Sequence, residues 1–128
     1  MQRRRIGRGP AAFAGLTGIA LMAWWAATLL GVLPTGLEPV QQQTSHVVAE
    51  LALGVALLAG SLLDLQGARP GRLVLAAALG ALVYASVNVL GDFPHSPVMT
   101  AVLAGTVALS LATLIAVLFD SEPRSRRR

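Results

Sequence analysis

Apolar residues along this chain fall into four long runs, each closed by polar residues or helix breakers. The first covers 11–33, with Pro10 suited to an opening helical turn and Gly31 and Pro34 near its end. A polar segment, 35–45, carries Glu38, Pro39 and three glutamines, and the second run, 46–63, is interrupted mainly by Glu50. Asp64, Gln66, Gly67, Arg69, Pro70, Gly71 and Arg72 then make a short turn before the third run, 73–90. Gly91, Asp92, Phe93, Pro94 and His95 close that run. Ser96 is placed to cap a helix with Pro97 at its first position, and the fourth run, 98–119, leads to Pro123 and an arginine-rich tail. Runs of about 20 apolar residues are what a hydrocarbon core roughly 30 Å thick requires. The pattern therefore predicts an all-α, multi-pass four-helix membrane bundle, a single transmembrane domain over residues 1–128.

Composition strengthens that reading. Of 128 residues 55% are hydrophobic and 12% charged, and the mean hydropathy is +0.67. Four spans use about 80 residues, which leaves room for tails and loops but not for an extramembrane domain. Cysteine is absent, so disulfides, thiol catalysis, thiolate metal sites and iron–sulfur ligation by this chain are excluded. The first run with its basic lead resembles a signal peptide, but it exceeds the usual length of about 7–15 residues and no small-x-small cleavage site follows. It is read as a retained span.

Charge gives the orientation. The ten basic residues are all arginine. Arg3, Arg4, Arg5 and Arg8 lie before the first span, Arg69 and Arg72 between the second and third, and Arg124, Arg126, Arg127 and Arg128 after the fourth. The other two connections hold Glu38 and Asp92 and no basic residue. By the positive-inside rule both termini are expected to be cytoplasmic, in a bacterial inner membrane, with one fixed topology. The pI near 11.4 then reflects topology and anionic lipid rather than nucleic acid. A faint parallel repeat lays 24–34 on 84–94, matching an aromatic, a polar residue four later, Leu-Gly and a final proline.

Glu50 is the first candidate for chemistry, because an ionisable group within a span is costly unless it faces protein or water. His46 precedes it by four and shares its face, and the row continues through Gly54 and Leu58, where a small residue admits a neighbouring helix. On the third span Ala76, Gly80, Tyr84 and Asn88 recur at the same spacing. Counted at about 1.5 Å per residue, Glu50 lies between the levels of Asn88 and Tyr84, with Thr28 of the first span near that depth and Trp24 a turn deeper. The expected site is a polar pocket near the outer face formed by His46, Glu50, Tyr84 and Asn88, with Trp24 and Thr28 beside it. Trp25 points about 100° away from Trp24, so one of the two can line the pocket while the other meets lipid, with core packing the commoner role for such residues.

A purely structural role competes with that pocket, since polar side chains between membrane helices contribute roughly 0.6–2 kcal/mol as hydrogen-bond partners. A metal site would add His95 and Asp92 to His46 and Glu50, but spacing fixes no ligand geometry there and no metal is expected. Asp64 with Arg69 or Arg72 reads as a solvated charge pair. Thr106, Ser110 and Thr113 can bond back to their own helix.

The run His46-Val47-Val48-Ala49-Glu50-Leu51-Ala52-Leu53-Gly54, with Ala59-Gly60, then Gly80-Ala81-Leu82-Val83-Tyr84 and Asn88 through Gly91, resembles the DoxX-like group of small four-helix bacterial membrane proteins. The resemblance covers residues 13–119. In that group an Ala-Glu before a small-residue apolar run recurs in the second helix, and some members are associated with quinone-linked sulfur oxidation or membrane oxidoreductase assemblies. The resemblance implies a small membrane subunit near redox chemistry, although without cysteine this chain carries no thiol step.

Three functional classes follow. The first is a non-enzymatic membrane subunit, or a binder of lipid or quinone, with a membrane-protein partner or self-association left open. The second is a proton-coupled transporter using Glu50, against which stand the one-way topology and the placement of Glu50 near one surface. The third is a membrane enzyme with His46 or Glu50 as acid or base, for which no nucleophile, substrate or cofactor is evident. The first is the one the residues favour.

Overall fold

In a computed structural model the described residues, 8–32, 44–92 and 96–120, form four α-helices: α1 (Arg8–Leu29), α2 (Thr44–Leu65), α3 (Arg69–Asp92) and α4 (Pro97–Asp120). All four are long and apolar enough to cross a membrane. At 22 to 24 residues they measure about 33–36 Å.

The helix ends follow from local chemistry. The apolar run predicts a first helix over 11–33, but α1 starts at Arg8 and stops at Leu29. It stops because Gly31 adopts φ +69°, which lets the Gly31 N–H reach the Thr28 carbonyl at 3.1 Å and the Val32 N–H reach Ala27 at 2.9 Å. Those paired bonds are a Schellman cap. Gly67 (φ +73°) repeats it at the end of α2, with Gly67 N–H to Asp64 at 3.0 Å and Ala68 N–H to Leu63 at 2.9 Å. α4 opens as the sequence predicts, the Met99 N–H donating to Ser96 Oγ at 3.2 Å with Pro97 in the first position.

The helices pack in chain order, α1 on α2, α2 on α3 and α3 on α4, while α1 and α4 touch only sparingly. The core gathers Ala14 from α1, Leu53 and Leu57 from α2, Leu75, Ala78, Leu79 and Leu82 from α3, and Val117 from α4. Lipid tails are as apolar as leucine, so close packing and interhelical hydrogen bonds hold such helices rather than escape from water. The α1–α2 seam shows how. A Cβ on Gly18 would stand 2.8 Å from the Gly54 carbonyl, one on Gly54 would stand 2.9 Å from Met22 Cγ, and one on Gly15 would stand 2.8 Å from Ser61 Oγ. Ser61 Oγ–H donates to the Ala11 carbonyl at 2.6 Å. On the α2–α3 side Gly60 abuts the Leu75 backbone, where a Cβ would stand 2.8 Å from its nitrogen. The start of α1 lies beside the end of α2, where Ser61 meets Ala11, and the end of α1 lies beside the start of α2, where Trp25 meets Glu50.

Candidate functional site

The polar cluster lies on the α1–α2 seam, where the last turns of α1 meet the first turns of α2. His46 and Glu50, one turn apart on α2, meet with Nε2 to Oε1 at 3.0 Å. The other carboxylate oxygen, Oε2, accepts the indole N–H of Trp25 at 2.5 Å. The Trp25 and His46 rings contact edge to face, centroids 6.2 Å apart and planes at 75°, a favoured aromatic geometry. Each side chain therefore touches the other two. Trp25 is buried at 4% exposure, whereas the side chains of His46 and Glu50 are 36% and 17% exposed.

The row His46, Glu50, Gly54, Leu58 is thus a real face, and it is pressed against α1. Gly54 meets Met22 and Gly18, and Leu58 approaches Gly18. The sequence pattern predicts Tyr84 and Asn88 of α3 beside this row, and the structure does not bring them together. Tyr84 is 70% exposed and Asn88 is exposed as well. The inward row of α3 is Leu75, Leu79, Leu82 and Ser86, one to two positions out of phase with Ala76, Gly80, Tyr84 and Asn88.

Of the tryptophans, Trp25 joins the cluster and Trp24 is 44% exposed. Thr28 keeps to its own helix, donating to the Trp24 carbonyl at 2.8 Å. Thr106 and Thr113 also bond back, to Val102 at 2.9 Å and Leu109 at 2.7 Å. Ser110 departs from that expectation: it is fully buried and its Oγ has no hydrogen-bond partner among the described residues. Asp64 selects Arg72, Oδ1 to Nε at 3.8 Å, in a partly buried pair at the terminal end.

Two residues escape the sequence argument. Trp25 is in principle accessible to it, as the alternative to Trp24. Ser86 is buried and lies six residues from its helix end, as Glu50 does from its own, which is about 9 Å in each case; a serine in an apolar run carries no signal of its depth or facing. Among the described residues no group of three or more His, Asp or Glu is placed to hold a metal. His95 and the Asp92 side chain, the other ligands such a metal site would need, lie outside the described residues.

Comparison with known proteins adds the family. The family model of a domain of unknown function, DUF8058, matches residues 2–128. The chain belongs to that family. All four helices and the Trp25–His46–Glu50 cluster lie within the matched region. No curated protein and no solved structure matches the chain.

Chemically, the cluster is a carboxylate with both oxygens engaged by donors from two helices, holding an imidazole by one nitrogen. The second nitrogen, Nδ1, has no hydrogen-bond partner among the described residues. A carboxylate so engaged orients the imidazole and selects its tautomer.

Proposed function

We propose that this chain is a bacterial inner-membrane protein, termini cytoplasmic, that holds the polar head of a membrane amphiphile, a lipid or a quinone, at Trp25, His46 and Glu50 near the outer face. The observation that carries this reading is the engagement of Glu50 by Trp25 and His46 within a helix long and apolar enough to span. An ionisable residue there is a functional candidate by default, and the half-exposed imidazole beside it offers a polar contact at the depth of lipid heads. The distribution of the ten arginines supports the orientation.

Two features favour a fixed binding role over proton-coupled transport. Glu50 lies about 9 Å from its helix end rather than at mid-depth, and both its oxygens are engaged. The DoxX-like resemblance enters as part of the proposal. Ala49-Glu50 in the second helix supports it, and the quinone-linked chemistry of some members is why a quinone stands beside lipid.

The test is native mass spectrometry of the full chain released from nanodiscs made with bacterial lipid extract, wild type against Glu50→Gln. A lipid or quinone retained by wild type and depleted in the variant is expected. A chain free of bound amphiphile in both would sink the proposal.

A further inference from the structure

We infer that His46 Nδ1 is the atom that receives the ligand, and that the ligand head carries a hydrogen-bond donor, a hydroxyl or an ammonium. This rests on the reading of the cluster as a binding site. Glu50 Oε2 accepts from Trp25 and Oε1 accepts from the Nε2–H of His46, so in the neutral form of the ring, which the inference requires, the proton is on Nε2. A neutral imidazole with its proton on one nitrogen presents a lone pair on the other. In that form Nδ1 is an acceptor and complements donors; a doubly protonated ring would present a donor there instead.

The placement of that acceptor is built rather than incidental. The ring is held by Glu50 from its own helix and by the edge of Trp25 from α1, so its remaining nitrogen has a fixed direction. The side chain is 36% exposed, open enough to be reached from the bilayer, while the 4% exposure of Trp25 keeps the supporting bond covered. Glu50 and Trp25 are positioning residues in this scheme. Phosphatidylglycerol, phosphatidylethanolamine and a hydroquinone all carry the required donor. Phosphatidylcholine and a hydroquinone dimethyl ether do not.

The experiment uses the full chain with His95→Gln, which leaves His46 as the single histidine of the two in the sequence. Its ring nitrogens are labelled with the heavy isotope and observed by NMR in nanodiscs. In phosphatidylcholine the inference requires the Nδ1 resonance in its unprotonated position, and a protonated Nδ1 overturns it. It should move on adding phosphatidylglycerol, phosphatidylethanolamine or decylhydroquinone, and stay on adding the dimethyl ether; the arm that moves it identifies the source of the donor.

His46→Gln, whose amide nitrogen can take the place of Nε2 and keep the bond to Glu50, should retain the melting temperature. It should weaken binding of the active amphiphile by roughly five- to tenfold, the worth of one hydrogen bond. In Glu50→Gln the amide carbonyl keeps Trp25 and the amide NH₂ faces Nε2, so the ring proton should switch to Nδ1, a change that loss of packing alone would not produce. Equal binding of the dimethyl ether, or undiminished binding to His46→Gln, overturns the inference while leaving an amphiphile site. Absence of binding by every amphiphile overturns the site itself.

Discussion

Trp24 and Trp25 are chemically identical neighbours with opposite surroundings. An α-helix turns about 100° per residue, which sends the Trp25 indole into the seam to Glu50 and leaves Trp24 at 44% exposure. Trp25→Phe removes the donor to Glu50 Oε2 and the matching ring edge beside His46, and should cost about 1–2 kcal/mol. Trp24→Phe should stay within about 0.5 kcal/mol of wild type. Thermal unfolding of both variants in the same detergent checks the difference, and equal losses would contradict the seam. At this scale His46 with Glu50 was legible because two residues four apart on one helix must share a face. The choice of Trp25 over Trp24 was not, because no residue on α1 itself indicates which side α2 occupies.

At the scale of elements, the α1–α2 seam depends on missing side chains. Gly18 and Gly54 let the two backbones meet, and the same approach brings Trp25 within reach of Glu50. Gly18→Ala would place a Cβ 2.8 Å from a backbone carbonyl, where neither helix has a flexible end to yield, and should destabilise by about 1–3 kcal/mol. Gly80 has open space where its Cβ would be, so Gly80→Ala should be neutral or stabilising by up to about 1 kcal/mol. Gly18→Ala should therefore lower the melting temperature and Gly80→Ala should not. The contrast also explains the phase of α3. Small residues at Ala76 and Gly80 resembled a packing stripe, but in a helix that is apolar all round, small residues occur on lipid-facing and protein-facing sides alike. Leu75, Leu79, Leu82 and Ser86 form the inward row because α2 presents Gly60 to the backbone at Leu75.

The whole molecule is asymmetric in charge. Every arginine lies before α1 or at its first residue, in the first four residues of α3, or after α4, and the sequences of the other two connections hold none. The expected topology can be read in a chain that has no cysteine of its own. Gln66→Cys, in the turn at the terminal end, should react with a membrane-impermeant maleimide only after spheroplasts are permeabilised. Val98→Cys, exposed in the first turn of α4, should react in intact ones. The reverse pattern would invert the orientation and put the cluster at the cytoplasmic face.

By itself the sequence determined the number of helices and their approximate extents, because an apolar run of spanning length has no other way to satisfy its backbone in a bilayer. It determined the capping residue Ser96, the breakers Gly31 and Gly67 near helix ends, and the shared face of His46, Glu50 and Gly54, since these depend on residues a few positions apart. Only the tertiary structure decided which helix that face meets. Depth along the bilayer is the same for α1 and α3, and both offered polar groups at the right level. The choice fell to α1 because steric fit between Gly18, Gly54 and Met22 acts between residues more than thirty positions apart, and no local pattern in either helix encodes it.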